Sequence, residues 1–256
     1  MTPRAFFFPA ALALLLFPSG TPGGYEQPPL SLDHVQFPSH PWIALTFDDG
    51  PHPNWTEALL KVLRQEHVPA TFFVVGKMAD RYPNLIQEMA RDGHEIANHT
   101  YTHARMSRLD APDMLHELDS TRATIKRLTG RDSILWRPPG GDYTRRTLRI
   151  TSRAGYKMVL WSVLTNDVVG AKRPAIWRRI RQGAGDGGII LMHSGVQRTN
   201  EMLPDIIELL RARGYHFVTV STLYDLPSAA YYLPPYDPIY QDQTVSASTQ
   251  AKIGAQ

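Results

Sequence analysis

Leu45-Thr46-Phe47-Asp48-Asp49-Gly50-Pro51-His52 is the stretch on which the reading of this chain turns. Residues 42–47 form an apolar, strand-like run that ends in two carboxylates, and Gly50-Pro51 then closes regular structure. Side chains of a strand alternate between faces, so Asp48 and Asp49 can serve one site only where the strand has ended. Two adjacent carboxylates repel each other unless a cation joins them. An Asp-Asp-Gly-Pro surface turn is the plain alternative for the tetrapeptide alone, and the groups supplied further along the chain weigh against it.

Outward from this stretch the chain beats between apolar runs and amphipathic ones. Strands are expected over 42–47, 70–75, 94–98, 134–137, 156–162, 188–192 and 216–220. Helices are expected over 55–66, 84–92, 111–128, 145–154, 174–182 and 202–213, with Gly93, Gly130, Gly155 and Gly214 as helix-ending residues. Seven strands alternating with helices imply an α/β fold with a parallel sheet, and the pattern does not separate an open sheet from a barrel. Asp48-Asp49, His99, Arg137 and His193 all fall at or just past the carboxyl end of an expected strand, the rim where α/β barrels collect catalytic groups.

Composition bounds the possibilities. At 256 residues and 43% hydrophobic, the chain can build one sizeable core. Its net charge is +3 and it has no long Lys/Arg run, which argues against a nucleic-acid partner. Cysteine is absent, which excludes thiolate metal sites and disulfides. Residues 1–24 pair a basic start, Arg4, with thirteen residues of nearly unbroken apolar sequence and a small-residue end, the pattern of a signal peptide; left uncleaved, it would anchor the chain to a membrane. Residues 25–41 read as a Pro-rich linker, 42–226 as the folded domain, and 227–256 as an extended tail. The oligomeric state is not legible.

The chemistry rests on a few groups. His99 and His103 are four residues apart, which places both imidazoles on one side of a helical turn or tight loop. With one carboxylate they make a His-His-Asp set suited to a single zinc-type divalent ion, with Co2+ or another divalent ion as an alternative. The second carboxylate would serve as general base, and the spacing does not say which of Asp48 and Asp49 has which task. His193, at another strand end, could protonate a leaving group. Arg137 could hold a rim carboxylate, and Gly140 leaves a backbone N–H for an oxyanion. The remaining histidines, His94 among them, read as structural or solvated.

Taken together these stretches resemble the polysaccharide deacetylases, the NodB-homology domain of carbohydrate esterase family 4, over residues 41–226. The motif windows occur in the family's order: 46–51, 99–103, 137–141, 164–168 and 191–193. The resemblance implies a distorted (β/α) barrel of about seven parallel strands. It makes Asp48 the catalytic base, Asp49, His99 and His103 the metal ligands, and Arg137 the residue that orients the base. It also makes Gly140 an oxyanion donor, Leu191 a wall of the acetate-methyl pocket, and His193 the general acid. Two windows depart from the family. Gly140 stands where a tyrosine is common, and Leu164-Thr165-Asn166-Asp167-Val168 lacks the usual Asp and Trp. The resemblance places the family's carboxylate behind Arg137 at the position of Leu164, so Asp167 is expected to reach back in its place while Leu164 fills apolar space.

The implied activity is removal of N-acetyl groups, with O-acetyl groups as a neighbouring option, from an N-acetylated polysaccharide such as peptidoglycan or a chitin-like polymer, outside the cytoplasm or in the cell envelope. Two rivals stand beside it: a catalytically weak carbohydrate-binding protein that keeps the fold, and a metal hydrolase of another acyl or phosphoryl group. Too few further rim carboxylates are available for the two-metal site a phosphatase would use.

Overall fold

The computed structural model describes residues 41–225. The expected leader (1–24), tail (227–256) and all of the linker but Pro41 lie outside them. Eight strands are described: β1 (Trp42–Gly50), β2 (Thr71–Val74), β3 (Glu95–Asn98), β4 (Leu135–Trp136), β5 (Lys157–Met158), β6 (Val163–Leu164), β7 (Gly188–His193) and β8 (His216–Phe217). Every pairing is parallel, in the order β5-β4-β3-β2-β1-β7-β6, with β8 beside the start of β1.

That order settles open sheet against barrel. β5 and β6 lie at opposite ends of the ladder, yet only residues 159–162 separate them. Laid flat, six inter-strand steps would span roughly 29 Å. The connector reaches at most about 18 Å when fully extended. The sheet must therefore curl until its two ends face one another, which gives the distorted barrel. The run expected as one strand over 156–162 is instead two, because the chain leaves one edge of the sheet after Met158 and rejoins at the other.

Among the described residues eight α-helices surround the sheet: α1 (Thr56–Gln65), α2 (Gly76–Arg81), α3 (Pro83–Arg91), α4 (Ala111–Thr129), α5 (Arg145–Arg153), α6 (Arg173–Gly183), α7 (Gln197–Ala212) and α8 (Val220–Asp225). α4 shows the sequence logic most fully. Asp110 caps it by accepting from the Asp113 N–H at 2.9 Å, Pro112 sits in its first turn, and Gly130 ends it in the left-handed region at φ 72°. α2 and α8 were not expected; at six residues each they are too short for periodicity to reveal. α8 also takes Val220 from the strand expected over 216–220.

The period of two along the strands sorts the side chains. Ile43, Leu45 and Phe47 of β1, Phe72 and Val74 of β2, and Ile190 and Met192 of β7 join α1, α3 and α7 residues in the main outer core. The opposite set, Ala44, Phe73, Ala97 and Ile189, packs with Leu135, Val159 and Val218 inside the barrel. Continuing the inner set toward the strand ends gives Thr46 and Asp48 on β1, and Leu191 and His193 on β7. The polar groups of interest are thus the upper layers of the barrel's own interior.

Candidate active site

Asp48 and Asp49 are reached differently from the way the sequence suggested. β1 does not end before them but runs to Gly50. The pairing of β1 with β2 is irregular between Phe47 and Gly50, and Asp49 takes φ 69°. This bulge breaks the alternation, so that both carboxylates meet groups of one cluster. Asp48 is 3% exposed and stands opposite His193 in the β1–β7 register, while the Asp49 side chain is about a third exposed.

His99 and His103 come from the tight loop after β3, not from a helical turn. Thr100 and His103 both adopt left-handed backbone, at φ 64° and 61°. Other residues hold this loop. Asn98 accepts from the Thr100 N–H at 2.8 Å, and Glu117 of α4 accepts from the Thr102 N–H and hydroxyl, both at 2.7 Å. The first N–H groups of α2, on Gly76 and Lys77, donate to the carbonyls of Thr100 and Tyr101 at 3.0 and 2.9 Å. Gly76 permits that approach: a Cβ there would lie 2.5 Å from the Tyr101 ring.

Asp49 Oδ1 lies 3.3 Å from His99 Nε2 and 3.1 Å from His103 Nε2, and one ligand atom from each residue falls within 4.8 Å of the others. His99 Nδ1 sits 2.9 Å from the Arg137 carbonyl, which can only accept, so that nitrogen carries the proton. In the neutral ring the Nε2 lone pair then faces the Asp49 carboxylate, two acceptors with nothing between them unless a proton or a cation intervenes. This donor set fits a divalent ion with an open coordination position. Asp48 Oδ2 is farther away, 3.8 Å from His99 Nε2. Burial opposes charge on Asp49, but its bonds to His103 and His99 outweigh that and hold its carboxyl well below the usual range. Burial likewise works against protonated His103, and Asp49 raises it nonetheless.

Arg137 is fully buried beneath Asp48. Its Nη1 donates to Asp48 Oδ1 at 2.7 Å and to Thr46 Oγ1 at 2.9 Å, and Thr46 passes its own hydroxyl proton to the Ile190 carbonyl at 2.8 Å. Nε and Nη2 donate to the carbonyls of Val159 and Leu160 at 3.3 and 3.0 Å, and the guanidinium lies 4.0 Å over the Phe73 ring. Burial pushes the guanidinium pKa down, and Asp48 works against that. The arginine thus crosses the barrel interior from β4 to β1 and to the 159–162 connector, and backbone carbonyls occupy the side where a second carboxylate was expected.

That expectation, Asp167 paired with Arg137, is corrected. It assumed that the segment after β5 stays next to β4; instead the chain crosses to the far edge and pairs with β7. Asp167 therefore lands beside His193. Its Oδ1 accepts from His193 Nδ1 at 2.8 Å and from Thr165 at 2.9 Å, and its Oδ2 accepts from the His193 N–H at 2.9 Å and from Thr199 at 2.5 Å. With four donors satisfied it has nothing left for Arg137. Burial alone would lower the His193 pKa, but Asp167, aided by Asp49 and Asp48, raises it to about 9. His193 Nε2 is left facing the cluster, 4.0 Å from Asp49 Oδ2.

Leu164 lies on β6, opposite Leu191 of β7, so these two residues are strand neighbours. Val168, where the resemblance sets an aromatic side chain, is 42% exposed. Gly140 is exposed at φ 61°, with open space where a side chain would go. Thr46, Asn98, Glu117 and Thr199 escaped the sequence reading as parts of this site. Glu117 alone left a signal, an acid on the same face of α4 as Met114, Leu118 and Thr121.

Residues 37–159 match the family model described as "Polysaccharide deacetylase". The peptidoglycan-N-acetylmuramic acid deacetylase PdaA of Bacillus subtilis is 36% identical over 187 residues, covering 71% of this chain and 70% of that protein. The solved Bc1960 peptidoglycan N-acetylglucosamine deacetylase superposes with a TM-score of 0.68 at 32% identity, covering 71% of this chain and 87% of the other. A mutant of BA3943, a CE4 family pseudoenzyme with restored enzymatic activity, superposes with a TM-score of 0.69 at 26% identity over 74% of this chain and 69% of the other.

Proposed function

We propose a function from one premise: this chain belongs to the polysaccharide deacetylase family. It removes the N-acetyl group from amino-sugar residues of a cell-wall polysaccharide of the peptidoglycan type, and it does so outside the cytoplasm. The observation that carries the reading is the convergence of Asp48, Asp49, His99, His103 and His193 in one barrel mouth. A fold kept only to bind sugar would have no need of that set, whereas a hydrolase needs each member.

Asp49, His99 and His103 would hold a divalent ion of the zinc type. Such an ion polarises a carbonyl oxygen and brings the pKa of water toward neutrality. Asp48, aimed by Arg137 and freed of other duties, takes a proton from the attacking water as general base. The carbonyl carbon becomes tetrahedral, and the Gly140 N–H is the backbone donor we assign to its oxyanion. Collapse breaks the C–N bond as His193, kept protonated by Asp167, gives its Nε2 proton to the departing amine. Leu191 lines the space for the acetyl methyl group, with Leu164 beside it on the next strand.

The test is acetate release from purified peptidoglycan and from chitin oligomers, with and without chelator, together with the metal content of the wild type and of His99→Ala. Acetate release that chelator abolishes and added divalent ion restores is expected, with metal lost from His99→Ala. Chelator-insensitive turnover, or full metal in the variant, would remove the ligand assignment. No acetate from any polymer would remove the activity.

A further inference from the structure

Between Asp142 and Asp186 the sequence holds ten basic residues and a single acidic one, Asp167, which is buried against His193. The whole chain has 27 basic and 24 acidic residues, so everywhere else acids outnumber bases. A preference for arginine runs through the entire sequence and carries no weight here; the depletion of acids does. The stretch builds α5, β5, β6 and α6, which are the two flanks of the gap in the barrel.

Both helices turn their buried side inward, Thr147 and Thr151 on α5 and Ile176 and Ile180 on α6. Arg149 and Arg153 of α5, and Arg178 and Arg181 of α6, are exposed, and none has a carboxylate within 4.0 Å among the described residues. Unneutralised charge of one sign on the helices flanking either side of the gap gives a positive potential that extends into solvent and draws polyanions.

The surface around α6 is also concave. A groove of about 430 Å³ is lined by Trp161, Asn166, Arg179 and Gln182, and a second of about 410 Å³ by Trp177, Arg178, Arg181 and Gln182. Each offers an indole, an amide and a guanidinium. An apolar face for a ring, a hydrogen-bonding group and a cation are what a pyranose bearing an acid group requires. Trp161 also packs against Gly141 and lies 5.7 Å from the Arg137 guanidinium, so the first groove abuts the barrel mouth. A bilayer meets this description less well. Its headgroup plane cannot enter the two grooves in which the indoles offer their apolar surface.

We infer that α5 and α6 form a docking surface for an anionic glycan, a pyranose polymer carrying carboxylate groups, which runs up to the barrel mouth at Leu164, a residue the first groove shares with the assigned acyl space. The surface holds its polymer whether or not the chain hydrolyses anything. Binding of the full chain to polygalacturonate, to neutral dextran and to phosphatidylglycerol vesicles tests it, at low and at physiological salt. The wild type binds polygalacturonate in preference to dextran, and salt weakens the binding by roughly tenfold. The charge-reversed variant Arg149→Glu/Arg178→Glu/Arg181→Glu loses at least about tenfold in affinity, since each position contributes to one field. It releases acetate from a short soluble substrate at the wild-type rate, which also shows that it folds. Equal binding of dextran, or wild-type affinity in the variant, overturns the proposal. Tighter binding to the vesicles than to the polymer overturns it too and reassigns the face to a membrane. A failure of the hydrolytic reading would show as absent acetate and leave the binding result intact.

Discussion

β3 has an imidazole at each end, and the two behave in opposite ways. His94, before its first residue, is 2% exposed, has no hydrogen-bond partner among the described residues on either ring nitrogen, and packs edge-on against Phe72 at 5.3 Å. His99, after its last residue, is as deeply buried, yet the Arg137 carbonyl fixes its tautomer and Asp49 faces its other nitrogen. Burial without partners drives His94 down to about 4, so it stays neutral and acts as a flat apolar ring. The same residue type is filler at the amino end of the sheet and part of a charged cluster at the carboxyl end. Side-chain chemistry alone does not make a site; the carbonyls and carboxylates that the curled sheet brings round to one end do.

The comparison breaks first at Asp48. If the carboxyl end of the barrel is the reactive end, Asp48→Asn keeps the metal ligands and removes only the proton acceptor. Turnover should fall by about 10²–10⁴-fold, the usual loss for a general base. Metal content should be unchanged. Wild-type turnover in this variant would deny the carboxyl end its role.

Asp167 sharpens the comparison, since it is the partner that His193 has and His94 lacks. Asp167→Asn removes the charge that lifts the His193 pKa to about 9. A general acid must be protonated, so activity is lost as pH rises through its pKa. The alkaline limb of the kcat/KM profile should therefore move down by about one unit or more. An unmoved limb would detach His193 from the proton transfer. Thr46→Val is a smaller perturbation, because it removes one acceptor from Arg137 and leaves the Asp48 bond in place. An unsatisfied buried N–H costs about 1–3 kcal/mol. A loss of roughly tenfold in kcat is expected, with Thr46→Ser restoring most of it.

How much of this was legible in the sequence divides along the same axis. Most strand and helix positions followed from periodicity, α2, α8 and the break after Met158 aside, and the mouth residues announced themselves as polar groups at strand ends. What the sequence could not carry was the closure. Sequence neighbours β5 and β6 lie at opposite edges of the ladder, so the inference that Asp167 borders Arg137 followed a sound rule to the wrong strand. The bulge at Asp49 was also invisible, since it depends on the register with β2. Glu117 was hidden for another reason: from residue order alone, nothing connects the middle of α4 with a loop fifteen residues earlier.

The smallest expected effect at neutral pH lies at the other imidazole. Replacing His94 by Leu removes two buried ring nitrogens that have no partners and leaves a side chain of somewhat smaller breadth against Phe72. These changes oppose one another, so stability at pH 7 should shift by less than about 1.5 kcal/mol. The difference appears in acid. An unfolded histidine takes up a proton as pH falls below about 6.5. Folded His94 resists protonation until about pH 4. Between those values the unfolded state binds more protons, so the wild type loses stability as pH falls, by about 3 kcal/mol in total, and the loss levels off below pH 4. His94→Leu lacks this term, so its urea midpoint should decline less steeply across the same window, and the two proteins should diverge most near pH 4. Parallel midpoint curves from pH 7 to pH 4 would mean that His94 already has a protonatable environment, and the contrast between the two ends of β3 would fail at its amino end.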